Sequence, residues 1–275
     1  MNNAQLQIQD LCISFHNRVA VNQLSFNVEK GRTVALVGES GSGKSVTGLA
    51  ILGLLPKHAL VSGRIQFEDE QLLSLTKKKL QKIRGKKISM IFQEPMTSLN
   101  PVFTVGEQIE EVVRYHQCTS RKETRRKALL LFSEVGIEAS RFHAHPHEFS
   151  GGMRQRVMIA MALANEPSLL IADEPTTALD ATTAKQIIEL LLAAKQRREM
   201  SMIFISHNLK LVGSISDEIC VMRSGELFEK GETTKVLRKP KSEYTKALLA
   251  CQPSIMSRQS RLETIPANFG AFKKV

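Results

Sequence analysis

The stretch TVALVGESGSGKSVT, Thr33 to Thr47, decides the fold. Thr33 to Val37 are β-branched or apolar and predict a buried strand. Gly38-Glu39-Ser40-Gly41-Ser42-Gly43-Lys44-Ser45 fits G-x-x-x-x-G-K-[ST], and the run Val46 to Leu55 predicts a helix after it. Glycines let successive backbone N–H groups turn inward around closely spaced phosphate oxygens without side-chain clash. The N-terminal end of the following helix adds partial positive charge. A lysine in this place reaches β and γ phosphates, and the hydroxyl after it ligates Mg2+.

Working outward, Leu6 to Ser14 and Gln23 to Val28 alternate well enough for two strands joined by a short turn, with Phe15 closing the first. Ser62-Gly63 opens a further strand pair, clearest over Arg64 to Phe67. Leu75 to Lys86 is strongly basic, with Leu80 and Ile83 three apart on one helical face, and reads as a solvated helix. Ile88 to Phe92 is a strand ending at Gln93, and the turn-rich EPMTSLNPVF follows. Val105 to Tyr115 and Arg121 to Val135 carry helical periodicity, the second capped by Thr119 or Ser120.

His143, His145 and His147 alternate beside Pro146 without a companion set of carboxylates or cysteines, and read as a polar loop. Ser150-Gly151-Gly152 opens a helix from Met153 to Ala164 and forms a second anion-binding geometry. Ser168 to Ala172 is an apolar strand running into Asp173 and Glu174, where α/β sheets place ligands. Such an aspartate downstream of a glycine loop suggests a metal-positioning carboxylate with a neighbouring base. Asp180 fits a helix N-cap for Ala181 to Arg198. Strand Met202 to Ser206 ends at His207, and Ile219 to Met222 with Leu227 to Lys230 form a hairpin around Ser224-Gly225. Two short helical stretches and a polar, basic tail after Gln252 complete the chain.

Bulk properties bound the partners. The 275 residues carry a formal charge of +11, which implies an anionic partner: nucleotide, nucleic acid or membrane phosphates. The amino terminus shows no secretory signal, and the apolar runs fall short of the roughly 18 residues that span a bilayer. Cys12, Cys118, Cys220 and Cys251 are scattered and read as free thiols in a reducing compartment.

The assembled pieces resemble the ATP-binding subunit of an ATP-binding cassette (ABC) transporter. GESGSGKS resembles the phosphate loop, FSGGMRQR the signature, LLIADE the second nucleotide motif, TALD the D-loop and ISHN the switch histidine. GESGSGKSVTGLAILGLLP, FQEPMTSLNP and SEYTKALL are similar to the subfamily importing dipeptides, oligopeptides and nickel. The usual LSGGQ reads Phe149-Ser150-Gly151-Gly152-Met153 here, a departure shared with that subfamily.

The resemblance implies an α/β P-loop NTPase (RecA-like) core with an N-terminal antiparallel β-subdomain and an inserted α-helical subdomain. Residues 1–92 and 165–235 would form the nucleotide-binding core, 93–164 the helical subdomain and 236–275 a C-terminal extension. Phe15 would stack on adenine, while Gly38, Ser40, Gly41, Ser42, Gly43, Lys44, Ser45 and Val46 hold ATP phosphates. Ser45, Gln93 and Asp173 would serve Mg2+, and Glu174, His207 and Gln93 the hydrolysis. Ser150, Gly151 and Gly152 would serve the ATP of an opposite subunit, with Asp180 linking the two sites.

A second cassette, two membrane permeases and indirectly a substrate-binding protein would be the partners, at the cytoplasmic face of the inner membrane, with no nucleic acid expected. Only Cys251 lies near the terminus, so no iron–sulfur cluster is expected. A soluble cassette acting on nucleic acid or ribosomes is the competing class, and a P-loop kinase leaves SGGM and the D-loop without a role.

Overall fold

The computed structural model describes residues 4–16, 18–94, 98–117, 119–177 and 179–251. The chain divides into two compact units, Met1–Ser74 with Ile203–Val275, and Leu75–Met202.

In the first unit β1 (Ala4–Phe15), β2 (Arg18–Glu29), β4 (Ala59–Phe67) and β5 (Glu70–Gln71) form an antiparallel sheet in the order β2-β1-β4-β5. Its strands are longer than their alternation suggests, because two bulges reset the parity. On β1 the buried apolar positions are Leu6 and Ile8 and then Leu11 and Ile13. The change of parity falls at Asp10, which takes φ 47. On β2 it falls at Gln23, φ 49, between buried Val21 and buried Leu24. An extra residue in one strand turns the side chains that follow to the other face, so each bulge restores the apolar face to the core. Both freed N–H groups find partners: Asp10 N donates to Ser25 Oγ at 2.8 Å and Gln23 N to Cys12 Sγ at 3.3 Å. Gly63 faces the first bulge, and a Cβ there would lie 2.4 Å from the Asp10 carbonyl oxygen.

The same unit holds β3 (Thr33–Val37), buried throughout, and the hairpin of β9 (Glu218–Arg223) with β10 (Glu226–Glu232). β3 and β9 are parallel, with Val34 opposite Glu218 and Val37 opposite Val221. Asp217 fixes that register from below: its Oδ2 accepts from Thr33 N at 2.7 Å, and its own N donates to Thr33 O at 2.9 Å. The hairpin turn is Ser224-Gly225 with φ 47 and 83, the primed geometry that follows the strands' twist.

Helix α1 runs Lys44–Ile51 rather than Val46 to Leu55. Gly53 in the left-handed region (φ 61) ends it, with Gly53 N donating to Ala50 O and Leu54 N to Leu49 O, both at 2.9 Å. This is the Schellman arrangement, and it overrides the apolar residues beyond Ile51. Three further helices, α7 (Leu209–Ile215), α8 (Thr233–Arg238) and α9 (Glu243–Ala250), belong to this unit, and α7 has no counterpart in the sequence reading.

The second unit contains α2 (Lys77–Ile83), β6 (Ile88–Ile91), α3 (Val105–His116), α4 (Arg121–Glu134), α5 (Gly151–Leu163), β7 (Leu169–Asp173) and α6 (Ala181–Arg198). Strand β8 (Ser201–Ser206) crosses the boundary between units. Between β6 and β7 no strand occurs among the described residues. Pro95, Met96 and Thr97 of the turn-rich segment, Cys118, and the tail from Gln252 lie outside the described residues.

Helix starts follow their caps. Thr104 and Glu107 form a capping box on α3, and Ser120 rather than Thr119 caps α4. Gly106 of α3 lets the helix meet Phe142: a Cβ would stand 2.1 Å from that ring. Phe142 stacks on Phe132 at 5.3 Å, and the Arg125 guanidinium sits 3.3 Å from the centroid of the Phe142 ring. Phe132 is fully buried. Phe132→Ala is expected to lower the stability of the second unit by about 3–5 kcal/mol, read from the shift of its urea transition followed by circular dichroism.

Candidate functional site

The glycine loop is held from two sides within the first unit. Continuing the β3–β9 register by one residue brings Gly38 level with Met222, and a Cβ on Gly38 would lie 2.0 Å from the Met222 carbonyl oxygen. Gly43, φ 98, closes the loop as the N-cap of α1, and its missing Cβ would lie 2.6 Å from Ala20 O of β2. Gly225 N donates to Ser42 O at 3.1 Å, and Gly225 O accepts from Asn22 N at 2.8 Å, so the hairpin turn bridges β2 and the loop. The glycines at 38 and 43 therefore answer close backbone approaches as well as backbone conformation. Gly41, φ 78, faces open space.

Lys44 is 5% exposed. Its Nζ donates to Gly38 O at 2.9 Å, Glu39 O at 2.7 Å and Ser42 Oγ at 3.2 Å. The ammonium is thus held by acceptors of its own loop. Ser45 and Val46 occupy the first turn of α1 and are half-buried, whereas Ser40 and Gly41 at the loop tip are exposed. Phe15 ends β1 half-exposed, with the His58 ring edge-on at 5.9 Å and the His58 and His16 rings 5.0 Å apart. His207, one residue beyond β8, is exposed, and Asn208 after it caps α7 by accepting from Leu211 N at 3.2 Å.

In the second unit, β6 and β7 are parallel with Ile91 opposite Ala172. Two residues further along both strands, Gln93 and Glu174 come level, and Gln93 Nε2 donates to Glu174 Oε2 at 3.2 Å. Thr177 Oγ1 donates to the same oxygen at 2.8 Å, and Thr177 N to Glu174 O at 3.1 Å. Glu174 takes φ 45, a left-handed conformation that costs a non-glycine residue of order 1–3 kcal/mol and is held by its surroundings. Asp173, the last residue of β7, is 4% exposed.

A second constellation joins the starts of α5 and α6. Ser150 caps α5, its Oγ accepting from Met153 N at 3.4 Å. Asp180 caps α6: Oδ1 accepts from Thr183 N at 2.9 Å and Oδ2 from Thr183 Oγ1 at 2.6 Å. Those bonds from Thr183 hold the Asp180 carboxyl below its ordinary range. The Thr183 methyl points at Gly152, where a Cβ would be 2.5 Å away, and Leu179 Cδ2 would lie 3.8 Å from a Cβ on Gly151. Ser150 to Gly152 and Asp180 are thus brought together through Thr183.

His143 ends the short 3-10 turn Ala139–His143 and His147 lies in the 3-10 turn Pro146–Glu148, with His145 between them as the N-cap of the second. His145 and His147 stack at 5.7 Å, and His143 Nε2 is 3.0 Å from an Arg125 guanidinium nitrogen. Among the described residues no group of three or more His, Cys, Asp or Glu is placed to hold a metal ion. Sequence reading does not find Met222, Gly225 and Thr183, because their parts rest on register and packing; Gly225 alone left a signal, as a turn glycine.

A family model described as "ABC transporter" matches residues 21–177. The chain is 50% identical over 256 residues to the peptidoglycan transport ATP-binding protein YejF of Agrobacterium fabrum, covering 90% of this chain but only 47% of that protein's length. It is 46% identical over 270 residues to the oligopeptide transport ATP-binding protein OppD of Bacillus subtilis, covering 95% and 75%. It is 43% identical over 270 residues to the dipeptide transport ATP-binding protein DppD of Escherichia coli, covering 96% and 83%. A dimeric ATP-binding cassette solved in a post-hydrolysis state with ADP and phosphate superposes with a TM-score of 0.74 at 26% identity, covering 83% of this chain and 98% of that one. The chain shares the cassette fold, α/β with an antiparallel sheet and a helical part.

Gly38→Ala places a methyl 2.0 Å from the Met222 carbonyl oxygen, so backbone has to shift to admit it. It is expected to weaken ATP binding by roughly tenfold or more, measured by titration calorimetry on the full chain.

Proposed function

Because this chain belongs to the ABC transporter family, we propose that it is the ATP-hydrolysing subunit of a peptide import system, paired with a second cassette and two membrane permeases. The observation that carries the reading is the likeness to transport ATP-binding proteins over nearly the whole chain, 95% of it for the oligopeptide protein. Dipeptides, oligopeptides, nickel or a related small solute form the cargo class. A soluble ATPase acting on nucleic acid has no counterpart among these relatives. Among the described residues no helix is long and apolar enough to cross a membrane; the proposed place of the chain is peripheral, at the cytoplasmic face, through its permeases.

In this reading the nucleotide-binding core is 1–92 and 165–235, the helical subdomain 93–164 and the extension 236–275. ATP stacks its adenine on Phe15 and lays its phosphates along Gly38 to Val46, with Lys44 on the β and γ groups. The Ser45 hydroxyl, the Gln93 amide oxygen and the Asp173 carboxylate are hard oxygen donors of the kind Mg2+ takes, and they would hold it. When bound, Mg2+ neutralises developing phosphate charge. Glu174 orients the attacking water and accepts its proton, Gln93 and Thr177 fix that carboxylate, and His207 contacts the γ-phosphate. Ser150, Gly151 and Gly152 complete the site of the opposite cassette, and Asp180 couples the two. ATP closes the pair, and hydrolysis reopens it. Only charge that develops in the transition state needs this arrangement of donors, so preorganising it accelerates the reaction.

Glu174→Gln is expected to keep ATP binding while lowering turnover in the assembled complex by roughly 10²–10⁴; near-normal hydrolysis would remove Glu174 from this role. A pull-down of tagged chain from detergent-solubilised host membranes, read by mass spectrometry, is expected to bring two polytopic permeases and a second cassette. Ribosomal or DNA-repair proteins with no polytopic partner would overturn the transporter reading.

A further inference from the structure

We propose that Tyr244, on the C-terminal helix α9, is a positioning residue for the phosphate loop, holding Glu39 in place while Lys44 passes from the loop's own carbonyls to a triphosphate. The proposal rests on the reading of Gly38 to Val46 as the phosphate site.

Glu39 is bound on both sides of its residue. Its carbonyl accepts from Lys44 Nζ at 2.7 Å and from Ser42 N at 3.2 Å, and its N–H donates to Tyr244 Oη at 3.4 Å. Lys44 also bonds Gly38 O at 2.9 Å. An incoming triphosphate offers oxygens with far more charge than a carbonyl, so it draws the ammonium away from these two acceptors. At that moment the start of the loop loses the charged donor that held two of its carbonyls. Gly38 is confined on its other side by Met222 O, and the next residue along, Glu39, is exposed with only a single-residue lever between it and the glycine-rich tip. The Ser42 N–H remains on the Glu39 carbonyl but belongs to the same loop, whereas the Tyr244 hydroxyl supplies an anchor from outside the loop that does not depend on Lys44.

Tyr244 is built to stay where it is. Its side chain is fully buried. The ring packs on Phe228 of β10 with centroids 5.4 Å apart, and the Arg223 guanidinium lies 5.1 Å from its centroid. Both neighbours belong to the hairpin whose turn, through Gly225, already grips Ser42. The N-terminal side of α9 is fixed to the same hairpin: the buried Glu229 carboxylate accepts from Lys241 N at 2.9 Å and Ser242 N at 3.0 Å. The hairpin, α9 and the loop are therefore one connected assembly within the first unit. Burial pushes the phenol up to about 12, so it remains protonated and its oxygen lone pair available across the working pH range.

The test uses the full-length chain and displacement of a fluorescent ATP analogue by ATP. Tyr244→Phe keeps the buried ring and removes only the hydroxyl. Loss of one hydrogen bond predicts about three- to tenfold weaker ATP binding, the same at pH 6 and pH 9, with the melting temperature of the nucleotide-free protein little changed. Amide hydrogen exchange of the peptide containing Glu39 should accelerate in the same variant. On a Lys44→Ala background, where no ammonium leaves the loop, the hydroxyl is expected to matter less than twofold. Unchanged affinity in Tyr244→Phe, or an equal loss with and without Lys44, overturns the positioning role. If Lys44→Ala alone leaves ATP affinity at the wild-type level, the phosphate-site reading beneath it fails instead.

Discussion

A buried ammonium organises the first unit. Removing a lysine charge from water is costly unless dipoles replace the hydration, and Lys44 meets that requirement with two loop carbonyls and a serine hydroxyl. Those acceptors can point inward only if the backbone bends tightly around the ammonium. The bend in turn brings Gly38 against Met222 and Gly43 against Ala20, where no side chain fits. The sequence spacing of glycines and lysine thus records a packing problem as much as a chemical one. The same interactions satisfy the ammonium with the loop's own acceptors, and in the proposed reading a triphosphate would replace them.

The second unit solves a different problem, the orientation of a carboxylate. Parallel pairing of β6 with β7 sets Gln93 beside Glu174, and Thr177 reaches back to the same oxygen. Glu174 is left in a strained conformation. Strain of that kind persists only where neighbours over-determine it, and here they are an amide, a hydroxyl and a backbone N–H from a turn three residues on. A carboxylate so held presents its second oxygen in a fixed direction, which is what the proposed water-orienting role needs.

How much of this the sequence discloses depends on which force sets each feature. Thr33–Val37 and Ala181–Arg198 are read at their observed bounds, because one is uniformly apolar and the other is capped by Asp180 and closed by basic residues near its C-terminal end. The first two strands are under-read because bulges at Asp10 and Gln23 break the alternation that reveals a strand. Helix α1 is over-read because Gly53 stops it against its own apolar pattern. Helix α7 is short, with its buried residues limited to Leu209, Val212 and Ile215, and it leaves little periodic signal. Gln93 and Glu174 are each visible as strand-end residues, but their contact is a consequence of register, which no spacing along the chain reports.

The net charge of +11 is the property that least constrains function, and the structure explains why. Much of it is local and solvated: Lys77, Lys78, Lys79 and Lys82 of α2 are exposed while Ile83 is buried, so the helix keeps its apolar face inward and its charges in water. Other cations are matched at short range, as Arg126 with Glu123, Lys235 with Glu232 and Lys246 with Glu243, each three residues apart. Exposed pairs of this kind contribute little to stability and are screened by salt. A basic protein can therefore carry its charge without a polyanion to receive it. Lys44, the cation to which the proposed function gives a chemical role, is one that water hardly reaches, and it is there that burial and backbone geometry converge.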